Sequence, residues 1–260
     1  MTYENFTTFT EQDDTGDHIQ EPSATHVDAK LYKNGNACLY KDYGANHFGS
    51  SWEHKIDIKL VSYATSFSNI IAMVGTDKGS QTYLMNNAKS ALYIFLFYGS
   101  GVNKLAIREM YQGSVYESSA YAITTGTMYY LTLKRNGTSF TCKVYSDSAR
   151  TNLLDTLSLT LNANHPSHQY YQPCAEIEYG SYNYWGDFDI DNLDFLQKEW
   201  FLGEAWLLIN IYVKTIFAKP YGIYTTDIFP SFVFFMFVLS IVITFICVFP
   251  VYRRRGHKNV

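Results

Sequence analysis

Acidic residues that alternate with apolar ones near the end of residues 1–196 are where this sequence could do chemistry. In Asp187-Phe188-Asp189-Ile190-Asp191 an extended strand sets all three carboxylates on one face. Their repulsion needs compensation, either from a hard cation such as Ca2+ or from solvent along an acidic edge that discourages pairing with another strand. The alternation breaks after Asp191, because Leu193 and Phe195 continue the odd positions, so a bulge is expected near Asn192. Glu176 and Glu178 flank Ile177 in the same way. Glu53 and Asp57 also share parity, but four residues of extended chain separate them by about 13 Å, too far for a catalytic pair.

Two loops place rings beside polar side chains, a combination that suits sugars: the ring stacks on C–H faces while polar neighbours hold hydroxyls. The preferred group is Tyr182, Asn183, Tyr184 and Trp185, with Glu176 and Glu178 close by in sequence. The second is Asn164, His165, His168, Tyr170 and Tyr171. They flank one strand, expected over residues 174–179, so they belong to opposite ends of a sandwich and cannot line one compact site. The alternative for either is plain packing over the sandwich end. His165 and His168 are three apart, yet no third metal ligand is near.

Strands must position these groups. Tyr (23) and Phe (18) are abundant and Pro (6) is scarce, a balance that favours pleated structure. Short alternating segments separated by Gly, Asn, Asp and Ser run from residue 8 to 196. Trp52, His54, Ile56, Ile58 and Leu60 face one way, Glu53, Lys55, Asp57 and Lys59 the other. Asn136-Gly137 between two alternating runs predicts a two-residue hairpin loop that sets Leu133 opposite Phe140 and Leu131 opposite Cys142. Residues 91–98 are apolar on both faces and are expected to be covered on each. Further strands are expected over 70–75, 82–85, 104–110, 114–123, 153–161 and 187–195, with two or three before residue 45. No helix is expected before residue 197. Such a census predicts a mainly-β sandwich or barrel.

Residues 228–252 carry no formal charge and end at Arg253, Arg254 and Arg255. As a helix they would reach about 37 Å against a hydrocarbon core of about 30 Å, which predicts a C-terminal transmembrane helix. A buried central helix is the alternative. Residues 197–219, largely apolar, broken by Glu204, Asn210 and Lys214 and carrying Trp200 and Trp206, predict an amphipathic helix on the membrane. A second span, or packing under the sandwich, is the alternative; residues 220–227 form a linker. The basic tail, 253–260, sets the C-terminus on the cytoplasmic or interior side and the sandwich outside, on a cell surface or virion envelope. The N-terminus has no basic start or apolar core, so a secretory signal peptide is not expected. Cys247 lies in the anchor, leaving Cys38, Cys142 and Cys174, an odd set that makes no disulfide framework. Cys142 is expected to face inward and Cys174 the face of Glu176. A net charge of −4 with no basic stripe before the tail argues against nucleic acid.

The block Tyr129-Tyr-Leu-Thr-Leu-Lys-Arg-Asn-Gly-Thr, followed by Tyr145-Ser-Asp-Ser and Leu153-Leu-Asp-Thr-Leu-Ser-Leu, resembles the middle of concanavalin A-like lectin/glucanase domains of the laminin-G-like sort. Asp187 to Phe195 resembles their last strand. The resemblance covers roughly residues 8–196 and specifies fold better than ligand. It implies an antiparallel two-sheet jelly-roll sandwich that binds glycans, sometimes proteins, in surface and virion proteins. It also implies a structural Ca2+ where the last strand meets the N-terminal segment, here Asp187, Asp189 and Asp191 with Asp13, Asp14 and Asp17. Glycan-cleaving members carry Glu-x-Asp-x-(x)-Glu; Glu176-Ile177-Glu178 lacks the third acid, so catalysis is not expected. The expected function is a membrane-anchored, lectin-like surface protein that binds glycans or mediates adhesion. The alternatives are a coat or spike subunit that associates with its own copies, and a membrane-bound glycosidase.

Overall fold

The computed structural model describes residues 3–180 and 183–195, within the unit Met1–Lys198. Tyr182 and everything from residue 196 onward, including the expected membrane-associated helices and basic tail, lie outside the described residues. Among the described residues no helix is long and apolar enough to cross a membrane.

The strands are β1 (Thr10–Gln12), β2 (Ile19–Ser23), β3 (His26–Tyr32), β4 (Cys38–Asp42), β5 (Ser51–Tyr63), β6 (Ser68–Gly75), β7 (Ala91–Gly99), β8 (Val102–Tyr111), β9 (Ser114–Glu117), β10 (Tyr121–Ile123), β11 (Met128–Asn136), β12 (Ser139–Tyr145), β13 (Leu153–Thr160), β14 (Tyr170–Ala175) and β15 (Trp185–Phe195), with one short α-helix, α1 (Gln81–Asn86), and a 3-10 turn at Phe6–Thr8. They form two antiparallel sheets. Sheet A runs β1-β4-β14-β6-β7-β8-β10, with β9 also on β8; sheet B runs β13-β12-β11-β5-β15-β3-β2. The two meet over one core, where Leu92, Ile94, Leu96 and Ile107 of sheet A join Ile56, Ile58, Leu131, Leu133, Phe188 and Ile190 of sheet B. Burying each such side chain is worth about 1.5–3 kcal/mol, and this layer supplies most of the drive to fold.

The doubly apolar β7 is covered on both faces. Its Leu92, Ile94 and Leu96 enter the inter-sheet core, while Ala91, Tyr93 and Phe95 join Cys38, Ile70, Met73 and Met110 in a second cluster on the outer face of sheet A. Leu84 of α1 closes that cluster. The strand expected over residues 82–85 is therefore a helix. Ser80 decides it: its Oγ accepts a hydrogen bond from Tyr83 N at 3.1 Å, an N-cap that four residues of alternation could not reveal.

The hairpin keeps its expected faces but turns one residue later. Asn136 pairs with Ser139 and Leu133 with Cys142, so Gly137 and Thr138 form the loop. Gly137 has φ +59 and Thr138 is not left-handed, the pattern of a II′ turn with Gly in its first central position. Inward parity survives because the shift moves each partner by two. The strand expected over 174–179 lies earlier, at Tyr170–Ala175, where both faces are buried and alternation is invisible. Cys174 consequently faces the inter-sheet core, as Cys142 does; all three described cysteines are buried and unbridged. The bulge near Asn192 is present. The register shifts between Asp191 and Asp194, and Asn192 has φ +55.

Candidate functional site

The end of the sandwich where β15 begins collects rings and cations. Trp185 lies opposite Tyr32 in the β15–β3 ladder, and Tyr184 O accepts from Lys33 N at 2.8 Å, which fixes the loop against the end of β3. Lys30 Nζ stands 4.3 Å from the Trp185 ring centroid, and Lys33 Nζ 5.4 Å from that of Tyr184. The His18 ring packs on Tyr32 with centroids 4.5 Å apart. Neither Lys30 nor Lys33 has a carboxylate partner among the described residues, so ring quadrupoles hold the two ammonium groups. Asn183 is exposed beside them.

Beneath this corner sits Glu176, buried at 2 % exposure. Its Oε1 accepts from Tyr32 N at 2.9 Å and its Oε2 from Ala37 N at 3.0 Å. Burial pushes this carboxyl above its ordinary range, while the two amides pull it back less strongly. His18 Nδ1 is 3.7 Å from Glu176 and 3.5 Å from Asp14, so the corner links the N-terminal segment to β3. Glu178 instead is exposed and accepts from Ser80 Oγ at 3.0 Å, on the α1 side. The two glutamates thus have different partners. Lys30, Tyr32, Lys33 and His18 were missed in the sequence, although His26, Asp28, Lys30 and Tyr32 share one parity; what was illegible is that β3 lies beside β15.

The six aspartates named for Ca2+ do not share partners. Asp14 accepts from Ile19 N at 2.7 Å, Asp13 from Asn36 Nδ2 at 3.4 Å and Asp17 from Gln20 Nε2 at 3.2 Å. On β15, Asp187 accepts from Ser62 Oγ at 3.1 Å, Asp189 pairs with Lys59, and Asp191 lies 2.6 Å from His26 Nδ1. Among the described residues, the donors that gather within 4.8 Å are those of His26, Asp28 and Asp189. One imidazole and two carboxylates supply part of a cation shell, with only Asp189 drawn from the six expected aspartates; backbone carbonyls and water would have to complete it. Protein cations also answer the repulsion along β15: Lys59 pairs with Asp189, and His26 is shared by Asp191 and Asp28; burial lowers its pKa, but the two carboxylates outweigh that and raise it.

The second loop closes the opposite end and is sealed. His165 and His168 are buried; His165 Nδ1 is 2.7 Å from Glu109 Oε1. Burial, then the positive charge of Arg135, push His165 down to about 3. Arg135, inward on β11, donates to His165 O, Pro166 O, Gly137 O and Gly49 O at 2.8, 2.7, 3.2 and 3.4 Å. Tyr171 is buried in the core, Asn164 is exposed, and Tyr170 lies half-buried near Tyr40.

The outer face of sheet A is also filled. Beyond Leu84, Arg108 lies over the Phe95 ring at 3.3 Å and pairs with Glu117 at 2.5 Å, while Lys78 covers Tyr40 at 3.8 Å.

No family model matches this sequence, and no curated protein matches it either. Solved structures do. The exoplasmic/lumenal domain of VIP36, in a form bound to Ca2+ and Man3GlcNAc, aligns with 75% of this chain and 87% of its own at 12% identity and a TM-score of 0.54. The likeness is one of fold. Basic winged bean lectin with Tn-antigen covers 75% of this chain and 97% of its own at 8% identity and a TM-score of 0.46. An alginate lyase from Alteromonas sp. 272 covers 73% and 93% at 8% identity and a TM-score of 0.43.

Proposed function

We propose that this sandwich is a glycan-binding head, carried on the exterior of a membrane by the segment 228–252 with the tail 253–260 inside, and that it binds without cleaving. The observation that carries the reading is the corner itself. Trp185 and Tyr32 flank Lys30 there, and Tyr184 stands by Lys33 at the same end, whereas α1 fills the outer face of sheet A and Arg135 seals the far end. Rings with adjoining hydrogen-bond donors suit a sugar, with C–H faces on the rings and hydroxyls on the ammonium groups. Support from fold comes from the VIP36 domain in its Man3GlcNAc-bound form. Binding without catalysis is supported by Glu176, whose oxygens are both engaged by backbone amides, and by Glu178, which turns to Ser80. Full-length protein in detergent micelles should bind a subset of an immobilised glycan panel, and Trp185→Ala should abolish that signal while leaving the thermal transition in place. No glycan signal, or one indifferent to Trp185→Ala, would refute the reading.

A second reading, a coat or spike subunit, draws on β13, the edge strand of sheet B among the described residues. Leu153 and Leu154 of β13 are 49% and 40% exposed there, and an open edge with exposed leucines invites a second copy. Sedimentation of the full chain in detergent would show concentration-dependent association that Leu153→Lys removes.

A further inference from the structure

The outer face of sheet B carries a second, separate feature that neither reading uses. An open depression of about 300 Å3 lies over β5, β11 and β12; Lys55, Lys134, Lys143 and Arg150 line it with one acid, Glu53, and with the hydroxyls of Thr132 and Thr141. The ladder registers fix how these residues stand. Thr132 is opposite Lys55 on one side and opposite Lys143 on the other. Neighbouring strands are about 4.8 Å apart, so the two lysines start about 10 Å from each other with the Thr132 hydroxyl between them. Lys134 follows two residues along β11, about 7 Å away. Three lysines therefore surround one threonine on this face.

Like charges this close repel, and the local compensation is incomplete. Glu53 reaches only Lys134, at 3.4 Å, and the carboxylate of Asp57 is engaged by Arg150 at 2.6 Å. Asp194 lies opposite Lys55 in register but makes no ion pair with it. Lys55 and Lys143 have no carboxylate partner among the described residues. A chain whose net charge is −4 thus concentrates uncompensated positive charge around hydroxyl donors in one concave place.

We propose that this depression binds the anionic groups of an acidic polysaccharide, a sulfate ester or carboxylate seated over Thr132 between Lys55 and Lys143. An oxyanion there accepts from both ammonium groups and from the hydroxyls of Thr132 and Thr141. A chain of pendant anions suits cations standing on opposite walls of a hollow, whereas a lipid surface would need them on a convex or flat face. The site is independent of the Trp185 corner, and either can fail alone.

The test reconstitutes the full chain in phosphatidylcholine nanodiscs and measures binding of heparin, polygalacturonate, neutral dextran and phosphatidylserine vesicles. Heparin or polygalacturonate should bind and dextran should not. The double variant Lys55→Gln/Lys143→Gln should weaken that binding by at least about tenfold. Lys41→Gln/Lys89→Gln, which removes the same charge elsewhere, should weaken it by less than about twofold. Trp185→Ala should leave polyanion binding unchanged, so failure at the corner and failure here are read separately. Unchanged affinity in the Lys55/Lys143 variant, equal loss in the control, or a loss confined to phosphatidylserine vesicles overturns the proposal.

Discussion

His165 Nε2 and His168 Nε2 lie 2.9 Å apart inside the sandwich end, so one ring must donate and the other accept. That contact requires at least one neutral imidazole. Burial pushes His168 and His54 well below the ordinary histidine range, and His165 falls to about 3. The titratable groups facing them are Glu109 on β8, Arg135 on β11, Tyr171 on β14 and, acting on His54, His47.

Stability should therefore fall in acid. These histidines are neutral in both states above about pH 6.5 and contribute no pH dependence there. Below it the unfolded chain takes up protons that the folded protein refuses, costing up to about 1.4 kcal/mol per pH unit for each group until its folded pKa is reached. Glu109 and Glu176, raised by burial, act with the opposite sign, since they protonate first in the folded state and return part of the loss. Urea midpoints of the full chain from pH 8 to 4 should drop steeply below 6.5, and His54→Phe should shallow the slope. An identical slope in that variant would remove the explanation.

Arg135 is the sequence's least legible structural residue. It sits on an inward face otherwise made of Tyr129, Leu131 and Leu133, and is 4% exposed. Arg135→Met leaves four carbonyls short of a donor and should cost about 2–4 kcal/mol. Arg135→Lys should recover less than half, because a single ammonium cannot reproduce the fork. Chemical denaturation reads both; equal stability of the Lys variant and wild type would show that charge alone matters.

Strand parity was readable wherever one face is wet. Trp52 to Leu60, the two arms of the hairpin and the break at Asn192 all follow from alternation. It failed at β14 and α1, where burial on both faces or a single cap residue replaces the pattern. The corner was legible in part: Tyr184 and Trp185 stood out as rings in a loop, but Lys30, Lys33, Tyr32 and His18 join them only through the β15–β3 ladder. Glu176 was visible as an acid, yet its role depends on Tyr32 N and Ala37 N, which no spacing announces.

Glu176 and Gly35 should be energetically coupled. A Cβ on Gly35 would fall 1.7 Å from Glu176 Oε2, so Gly35→Ala must evict the carboxylate from the Ala37 amide. We expect a loss of about 2–3 kcal/mol for Gly35→Ala and about 1–3 for Glu176→Ala, with the double variant costing clearly less than the sum. Additive losses would mean that the glycine acts through its backbone alone.

Metal should matter little to this face. Lys59 and His26 already compensate Asp189, Asp191 and Asp28, so EDTA or millimolar Ca2+ should move the thermal midpoint by less than about 1 °C. Lys59→Met removes one of those cations and should make the midpoint rise with added divalent metal. A large EDTA shift in the wild type would instead favour a resident ion.

The hairpin offers the sharpest test of register. If Gly137 and Thr138 form the loop, only Gly137 needs a left-handed backbone, and its φ of +59 is the sole obstacle, since a Cβ there would meet nothing within 4 Å. Gly137→Ala should cost about 1 kcal/mol or more through that strain. Asn136→Ala, at an extended ladder position opposite Ser139, should cost less than about 0.5 kcal/mol. An Asn136-Gly137 loop predicts comparable losses at both positions, because a I′ turn needs positive φ at each. Urea denaturation of the two variants decides between the registers, and with them whether Arg135 faces Phe140 or Thr138.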